Sequence, residues 1–529
     1  MQVKTMANKL ELTWYGKNEP IRLEPRLLIE NVALSNTTAD PDTENMIIHG
    51  DNLLALKALD VRFKGMVKCI YIDPPYNTGN AFDKYDDNLE HSIWLNLMNC
   101  RFKYLHSLLC KEGFLFVNLD EQEHAYAKIL LDGIFGRQNF IGDIIWQKRK
   151  GGGNDSRYLA LDHDYILVYA KDASKETHPI KWRTAQSKEY LKRYKEIEDD
   201  GRRYYWDTVA RNGLQSPIPV SVVCPDGTTL SINSQMGQTA IDEGLMDGTV
   251  RLTKGKNGWT LHHKVYMGRG QVQRSILTDV GTNKTAGDEM EYLFGDKKAF
   301  PYPKPEKLIA RILELASEKG DIVLDSFLGS GTTAAVAHKM GRRYIGVEMG
   351  EHAYTHCKVR LDKVIAGTDK GGITEEVGWR GGGGYRFYEL APSLINRDQF
   401  DEFVINKEYD ADMLAAAVAL HEGFRYQPDA SLFWKQSVGN EGSYLFVTTR
   451  HINSIYLNSI KDTMDDDEYL IIACCSFDRG LDNAYNNITI KKIPQMLLNR
   501  CEFGKVDYNL NIVNPPVYDN EFKGENCDE

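Results

Sequence analysis

Short apolar runs of strand length alternate along this chain with stretches in which apolar residues recur at helical spacing. Met46-Ile47-Ile48-His49-Gly50 reads as a strand ending at Gly50-Asp51-Asn52, and Leu53 to Leu59 as a short amphipathic helix. Val67-Lys68-Cys69-Ile70-Tyr71-Ile72 is the next strand, so the first clear unit is β-α-β with a loop at the carboxyl end of each strand. His91 to Cys110 follows a helical period, with Ile93, Leu97, Tyr104, Leu105 and Leu108 on its apolar stripe. Gly113 to Asn118 predicts a strand and Glu121 to Phe135 a helix. Ile141, Ile144 and Ile145 are apolar, but Gly142 and Asp143 interrupt them and no definite element follows. Tyr165 to Tyr169 is again a strand.

From about 171 to 300 the pattern turns mixed and turn-rich. Basic and aromatic residues interleave there, as in Lys192, Arg193, Tyr194, Lys195 and then Arg202, Arg203, Tyr204, Tyr205, Trp206. The α/β pattern resumes with a helix over Glu306–Ala316, a strand over Asp321–Asp325, a helix from Thr332 to Met340 and a strand over Tyr344–Glu348. Gly381 to Gly384 reads as a linker. These elements predict an α/β fold, a doubly wound and mostly parallel sheet, interrupted by an insertion and followed by an α+β C-terminal domain. The expected boundaries are an N-terminal arm over 1–45, the sheet domain over 46–147 and 296–375, the insertion over 148–295, and the C-terminal domain over 386–529.

A length of 529 residues suits two to four domains. No run of eighteen apolar residues exists, so no membrane span is expected, and the start of the chain lacks an apolar signal core. Nine scattered cysteines without a C-x-x-C pair point to reduced thiols in a cytoplasm and argue against a zinc site or a disulfide frame. The net charge of -11 by itself speaks against a nucleic-acid partner. Its distribution changes that picture. Residues 146–280 hold 21 Lys+Arg against 16 Asp+Glu, a net of +5, whereas 386–529 hold 13 against 24, a net of −11. The basic middle is either ordinary variation of surface charge or a local phosphate-contacting surface. Within it, Lys148, Arg149, Lys150, Arg157, Lys192, Arg193, Arg202 and Arg203 are candidates for phosphate or base-edge contacts, each weighed against a solvated surface charge.

The strand at 67–72 runs into Asp73-Pro74-Pro75-Tyr76-Asn77-Thr78-Gly79. The bland reading is a type I turn with a packed tyrosine. The chemical reading starts from an exocyclic base amine, a poor nucleophile because its lone pair is delocalised into the ring. Two acceptors on its two hydrogens draw the nitrogen toward tetrahedral geometry. The Asp73 carboxylate and the Pro74 carbonyl can be those acceptors. Pro74 and Pro75 fix φ and carry no N–H, so the loop is stiff and its acceptors are preorganised. Tyr76 offers a face on which an extruded base can stack.

A second loop, Asp325-Ser326-Phe327-Leu328-Gly329-Ser330-Gly331-Thr332-Thr333, joins a strand to a helix. Gly329 and Gly331 permit a tight turn and close approach of a ligand, and the helix start at Thr332 offers free N–H groups to a carboxylate. Glu348 ends the next strand, where an acid can take the ribose hydroxyls of a nucleoside cofactor. No Gly-Lys-Ser/Thr follows, which excludes a triphosphatase P-loop, and Thr332-Thr333-Ala334 departs from the dinucleotide G-x-G-x-x-G. Cys224-Pro225 reads as structural.

The two loops in this order resemble the amino-methylating DNA methyltransferases of the β order, in which the catalytic motif comes first, target recognition next and the S-adenosylmethionine motif last. More narrowly, the chain resembles the modification (Mod) subunits of type III restriction–modification systems and their stand-alone relatives. Gly50-Asp51-Asn52-Leu53-Leu54-Ala55-Leu56, His163 to Lys171 and, more loosely, Ile488 to Pro494 share in the likeness. It implies the S-adenosylmethionine-dependent methyltransferase fold, circularly permuted, with the insertion as target-recognition domain. It implies that Asp73, Pro74, Pro75 and Tyr76 hold the target base, and that Phe327, Gly329, Gly331 and Thr332 line the cofactor loop. Glu348 would take the cofactor's ribose, and Asp51 would lie near its adenine or its methionine moiety. Lys304, in Phe300-Pro301-Tyr302-Pro303-Lys304-Pro305, falls in the family's cofactor-side segment; read from the residues alone it is equally a surface lysine of a proline-rich loop. The implied activity is methylation of adenine N6 in duplex DNA. Cytosine N4, RNA as substrate, and a recognition subunit acting with a helicase–nuclease partner stay as alternatives. A homodimer and a cytoplasmic location are expected by the same likeness.

Overall fold

The β-α-β unit at 46–72 is the nucleus of a ten-stranded sheet in the computed structural model. The structure describes residues 12–18, 23–76, 91–151, 158–174, 177, 182–184, 188–210, 213, 216–256, 258–268, 270–498, 501 and 503. In chain order the strands are β1 (Leu28–Glu30), β2 (Met46–His49), β3 (Val67–Ile72), β4 (Leu109–Leu119), β5 (Phe140–Gln147), β6 (His163–Ala170), β7 (Ile276–Leu277), β8 (Ile322–Asp325), β9 (Arg343–Glu348) and β10 (Arg386–Leu390). Their spatial order is β1-β10-β2-β9-β8-β3-β4-β6-β5-β7. From β10 across to β4 every pairing is parallel, while β6 lies antiparallel to both β4 and β5. The order explains the split sequence: β8 and β9, from the second half of the chain, sit between β2 and β3 from the first.

Parallel strands are covered on both faces, so they read as continuous apolar runs. β8 is buried throughout, and in β3 only Lys68 is partly exposed. The covering helices are α1 (Asn52–Phe63), α2 (His91–Leu108), α3 (His124–Phe135), α4 (Asn283–Phe294), α5 (Glu306–Ala316) and α6 (Thr332–Lys339). α2 packs on α1 and on α3, and α5 packs on α6. Trp94, Met98, Phe102 and Leu105 of α2 join Leu56 and Leu59 of α1 and Ile70, Ile72, Leu115 and Val117 of the strands in one core.

Four of the ten strands lie outside the segments expected to form the sheet. β6 and β7 fall in the expected insertion, β1 in the expected arm and β10 in the expected C-terminal domain. β6 joins because its own run, Ile166 to Ala170, is buried. β5 was illegible because Gly142 marks a register shift in its pairing with β6. The tetraglycine before β10 is packed rather than a free linker. The Gly382 N–H donates to the Ile365 carbonyl at 2.8 Å, the Gly384 carbonyl accepts from Thr43 and Asn45, and a Cβ on Gly383 would meet the His338 ring at 2.7 Å.

Residues 180–274 form a compact unit of their own. Strands Val250–Gly255, Gly258–Tyr266, Arg203–Thr208 and Glu196–Ile197 make its antiparallel sheet, beside a hairpin of Ile218–Val223 with Thr229–Ser234 and a helix, Gln238–Asp247. Val209, Val220, Val222, Ile241, Val250 and Leu261 are its small core. Beyond β10 a five-stranded sheet, with Ser443–Ile452, Tyr469–Phe477 and Ile488–Lys492 parallel, packs with the helix Ala411–Glu422. Among the described residues no helix is long and apolar enough to cross a membrane.

Candidate active site

Because β2, β9, β8, β3 and β4 are parallel neighbours, the loops that follow them emerge at one edge of the sheet. That edge brings together Asp51, Glu348, the glycine turn, Asp73 and the end of β4, although about 250 residues separate the two functional loops.

At the end of β3, Pro74 is buried and Asp73, Pro75 and Tyr76 are half-buried. The Trp94 indole N–H donates to the Pro75 carbonyl at 2.8 Å, pinning the loop to α2. Both oxygens of Asp73 are engaged. Oδ1 accepts from the Tyr76 hydroxyl at 2.5 Å and from the Asn118 amide at 3.2 Å. Oδ2 takes the ammonium of Lys304, whose Nζ also lies 5.4 Å from the centroid of the Tyr76 ring. Asn118, at the carboxyl end of β4, donates to the Tyr76 hydroxyl as well. Burial, and then the adjacent Asp73 carboxylate, raise the Tyr76 phenol well above its ordinary range, so it stays a neutral donor. Asn77, Thr78 and Gly79 lie outside the described residues.

The glycine turn is held from both sides. Asp325 accepts from the Phe327 N–H at 2.9 Å and from the Thr333 hydroxyl at 2.6 Å, and burial pushes its carboxyl up to about 7. Gly329 and Gly331 have φ of +56° and +79°, a region L side chains rarely adopt. A Cβ on Gly329 would also meet the Phe300 ring, and one on Gly331 the Cys357 backbone, each at 3.0 Å. Glu348 ties the turn to β9: Oε2 accepts from the Gly329 N–H at 2.7 Å and Oε1 from the Gly350 N–H at 2.9 Å. Phe327 packs its side chain into the core of the sheet, and the Thr332 hydroxyl is used within the protein, receiving Arg360 at 2.7 Å.

Asp51 caps α1, its Oδ1 accepting from the Leu53 N–H at 2.8 Å and the Leu54 N–H at 3.1 Å. Asn52 reaches across to the turn and donates to the Ser326 carbonyl at 2.7 Å. Arg101, fully buried in α2, donates to Asn52 at 2.6 Å and sits 3.8 Å from Asp51 Oδ2. Among the described residues the buried Ser326 hydroxyl has no hydrogen-bond partner. Turn glycines, a helix start and a partnerless buried hydroxyl beside the Glu348 carboxylate make a set that fits a nucleoside carrying an amino-acid group.

The candidate DNA contacts are divided between the two compact units. Lys148 is ion-paired with buried Asp164 at 2.6 Å, so its charge is already committed. Arg149 and Lys150 are exposed, as are Lys192 and Arg203, and Arg157 lies outside the described residues. In the 180–274 unit Arg193 stacks over Tyr190 at 4.3 Å, and Arg202 pairs with Asp200 and lies over Tyr266 at 4.4 Å. Sequence reading missed Arg251, which stands 4.0 Å over Trp206; Lys264 lies 4.7 Å over Tyr204 but is ion-paired with Glu198 at 2.6 Å. The cross-strand register aligns Tyr204 with Tyr266, Trp206 with Lys264 and His262 with Arg251, placing these residues on one sheet face.

The DNA methylase family, comprising N6 and N4 methyltransferases, matches residues 67–358, more than half of the chain. The chain belongs to the DNA methylase family. Among curated DNA methylases it is 34% identical over 406 residues to the "Probable type III restriction-modification enzyme HindVI Mod subunit" of Haemophilus influenzae, covering 66% of this chain and 54% of that one. It is 29% identical to the type III restriction-modification enzyme StyLTI Mod subunit of Salmonella typhimurium, over 60% of this chain and 54% of that one. It is 24% identical to the EcoP15I Mod subunit of Escherichia coli, over 80% and 79%. The first two matches span about half the length of those relatives. The methylase match starts at β3 and so leaves Asp51 outside it. Within the methylase sheet, Asn118, Arg101 and Phe300 are the residues that sequence reasoning passed over. Asn118 had a signal, a polar residue closing an apolar strand; Arg101 and Phe300 had none.

Proposed function

We propose that this chain transfers methyl from S-adenosylmethionine to the N6 amine of adenine in duplex DNA at a specific site. The observation that carries it is the cluster at the end of β3, where Asp73 is held by Tyr76 and Asn118 beside a loop free of N–H groups at Pro74 and Pro75. Asp73 and the Pro74 carbonyl accept the two amine hydrogens, and the Tyr76 ring takes the face of the extruded base. Glu348 holds the ribose of the donor, and the glycine turn with the start of α6 receives its amino-acid end. The donor, when bound, brings an electrophilic sulfonium methyl. Asp in the first position of the loop favours adenine over cytosine N4. The 180–274 unit supports DNA as substrate: it holds 15 Lys+Arg against 10 Asp+Glu, and Arg251 and Lys264 lie over aromatic rings on one sheet face. A second copy of the chain, a helicase–nuclease partner and a cytoplasmic setting follow from the likeness to Mod subunits and belong to the same proposal.

The test is Asp73→Ala. Removing an oriented acceptor lowers kcat by about a hundredfold or more, while S-adenosylmethionine binding, measured by calorimetry, stays near that of the parent chain. Methylation at the parent rate in this variant would refute the assignment.

A further inference from the structure

Lys304 stands where the substrate should. Asp73 Oδ2 is the oxygen not already shared by Tyr76 and Asn118, and among the described residues its partner is the Lys304 ammonium. An N–H donor on that oxygen occupies the place of the base amine. Its charge also opposes the reaction, because the attacking nitrogen becomes positive as it takes the methyl. Lys304 is 8% exposed, so it is not the surface lysine that its proline-rich setting suggests. A buried cation parted from its counter-ion is strongly unfavourable, and Lys304 can leave Asp73 only for another anion.

The segment that carries Lys304 touches both functional loops. At one end Phe300 packs its ring against Gly329 of the glycine turn; at the other, Lys304 meets Asp73 and Pro305 leads into α5. We propose that Lys304 is a partner-switching residue: it blocks Asp73 in the free protein and moves to the α-carboxylate of the methyl donor when the glycine turn is filled, uncovering the acceptor for the base. This rests on the methylase reading above and adds an order to it, with donor binding preceding capture of the amine. Reciprocity then requires that a captured base tighten donor binding by the same factor.

The probe is S-adenosylhomocysteine, compared with the same thioether lacking its carboxylate. Each is added at saturation to the full chain, and duplex binding is read from 2-aminopurine placed beside the target adenine. The carboxylate-bearing thioether is expected to tighten binding of the target duplex about tenfold, and its decarboxylated counterpart to leave it unchanged. In Lys304→Met the duplex binds equally well with and without either compound. The proposal is overturned if the decarboxylated thioether tightens binding as much as the complete one, a comparison that needs no variant, or if Lys304→Met keeps the coupling. Calorimetry on the parent chain separates the two levels: failure to bind either S-adenosylhomocysteine or DNA overturns the methylase reading itself.

Discussion

Asp325 shows how burial at one residue becomes a property of the whole protein. Its carboxyl is pushed up to about 7 from an ordinary value of 3.8, with burial the largest cause. Between those values the folded state keeps a proton that the unfolded chain has lost. Stability attributable to this group is therefore fully present below about pH 4, falls as pH rises toward 7, and is level above it, a change of about 4 kcal/mol at most. Asp325→Asn cannot ionise, so its urea midpoint relative to the parent chain should rise from pH 5 to about 7 and then level off. Parallel curves for the two proteins would show that Asp325 ionises normally. Its neighbour Asp73 shows what sequence does and does not reveal. Asp-Pro-Pro-Tyr after a buried strand announced a preorganised acceptor, but Lys304, 231 residues away, could not be paired with it. Nothing in local periodicity records which distant side chain fills a half-buried carboxylate.

At the scale of elements, the glycine turn is rigid because several partners hold it. Glu348 binds its Gly329 N–H, Asn52 its Ser326 carbonyl, and Arg360 the Thr332 hydroxyl. Arg360 belongs in turn to a buried ionic cluster with Glu306, Lys339 and Asp369. Gly331→Ala places a Cβ in the left-handed region and 3.0 Å from the Cys357 backbone. The conformational part alone costs roughly 1–2 kcal/mol, and the turn must shift besides. The expected outcome is a lower Tm together with donor affinity weakened at least tenfold, measured by thermal melting and calorimetry. Unchanged affinity at reduced Tm would mean the turn does not hold the donor. The strand–turn–helix–strand–acid order made this element legible from sequence. The tetraglycine was not, because four glycines look the same whether solvated or packed against His338, Thr43 and Asn45.

For the whole molecule, the sheet order follows from parallel pairing: strands from both halves of the chain must interleave to bring two loops to one edge. Alternation and buried runs disclosed β2, β3, β8 and β9, the centre of that sheet. β6 was read as a strand but placed in the insertion, since antiparallel membership of a sheet leaves no local mark. The basic excess of the middle region resides in 180–274, and the cross-strand register places Arg251 and Lys264 of it on one face with Tyr204, Trp206 and Tyr266. Each phosphate contact removed lowers the slope of log Kobs against log salt by about 1. Arg251→Ala should flatten that slope by about 1 unit and weaken binding to all duplexes alike; an unaltered slope would put the DNA elsewhere.

The central claim is that Asp73 orients an adenine amine in DNA. Single-molecule sequencing of DNA from cells expressing this chain, beside cells expressing Asp73→Ala, tests it most directly. The expected result is N6-methyladenine at one recurring sequence with the parent chain and none with the variant. Modification of cytosine N4, adenine modification without sequence preference, or equal methylation by both chains would contradict it.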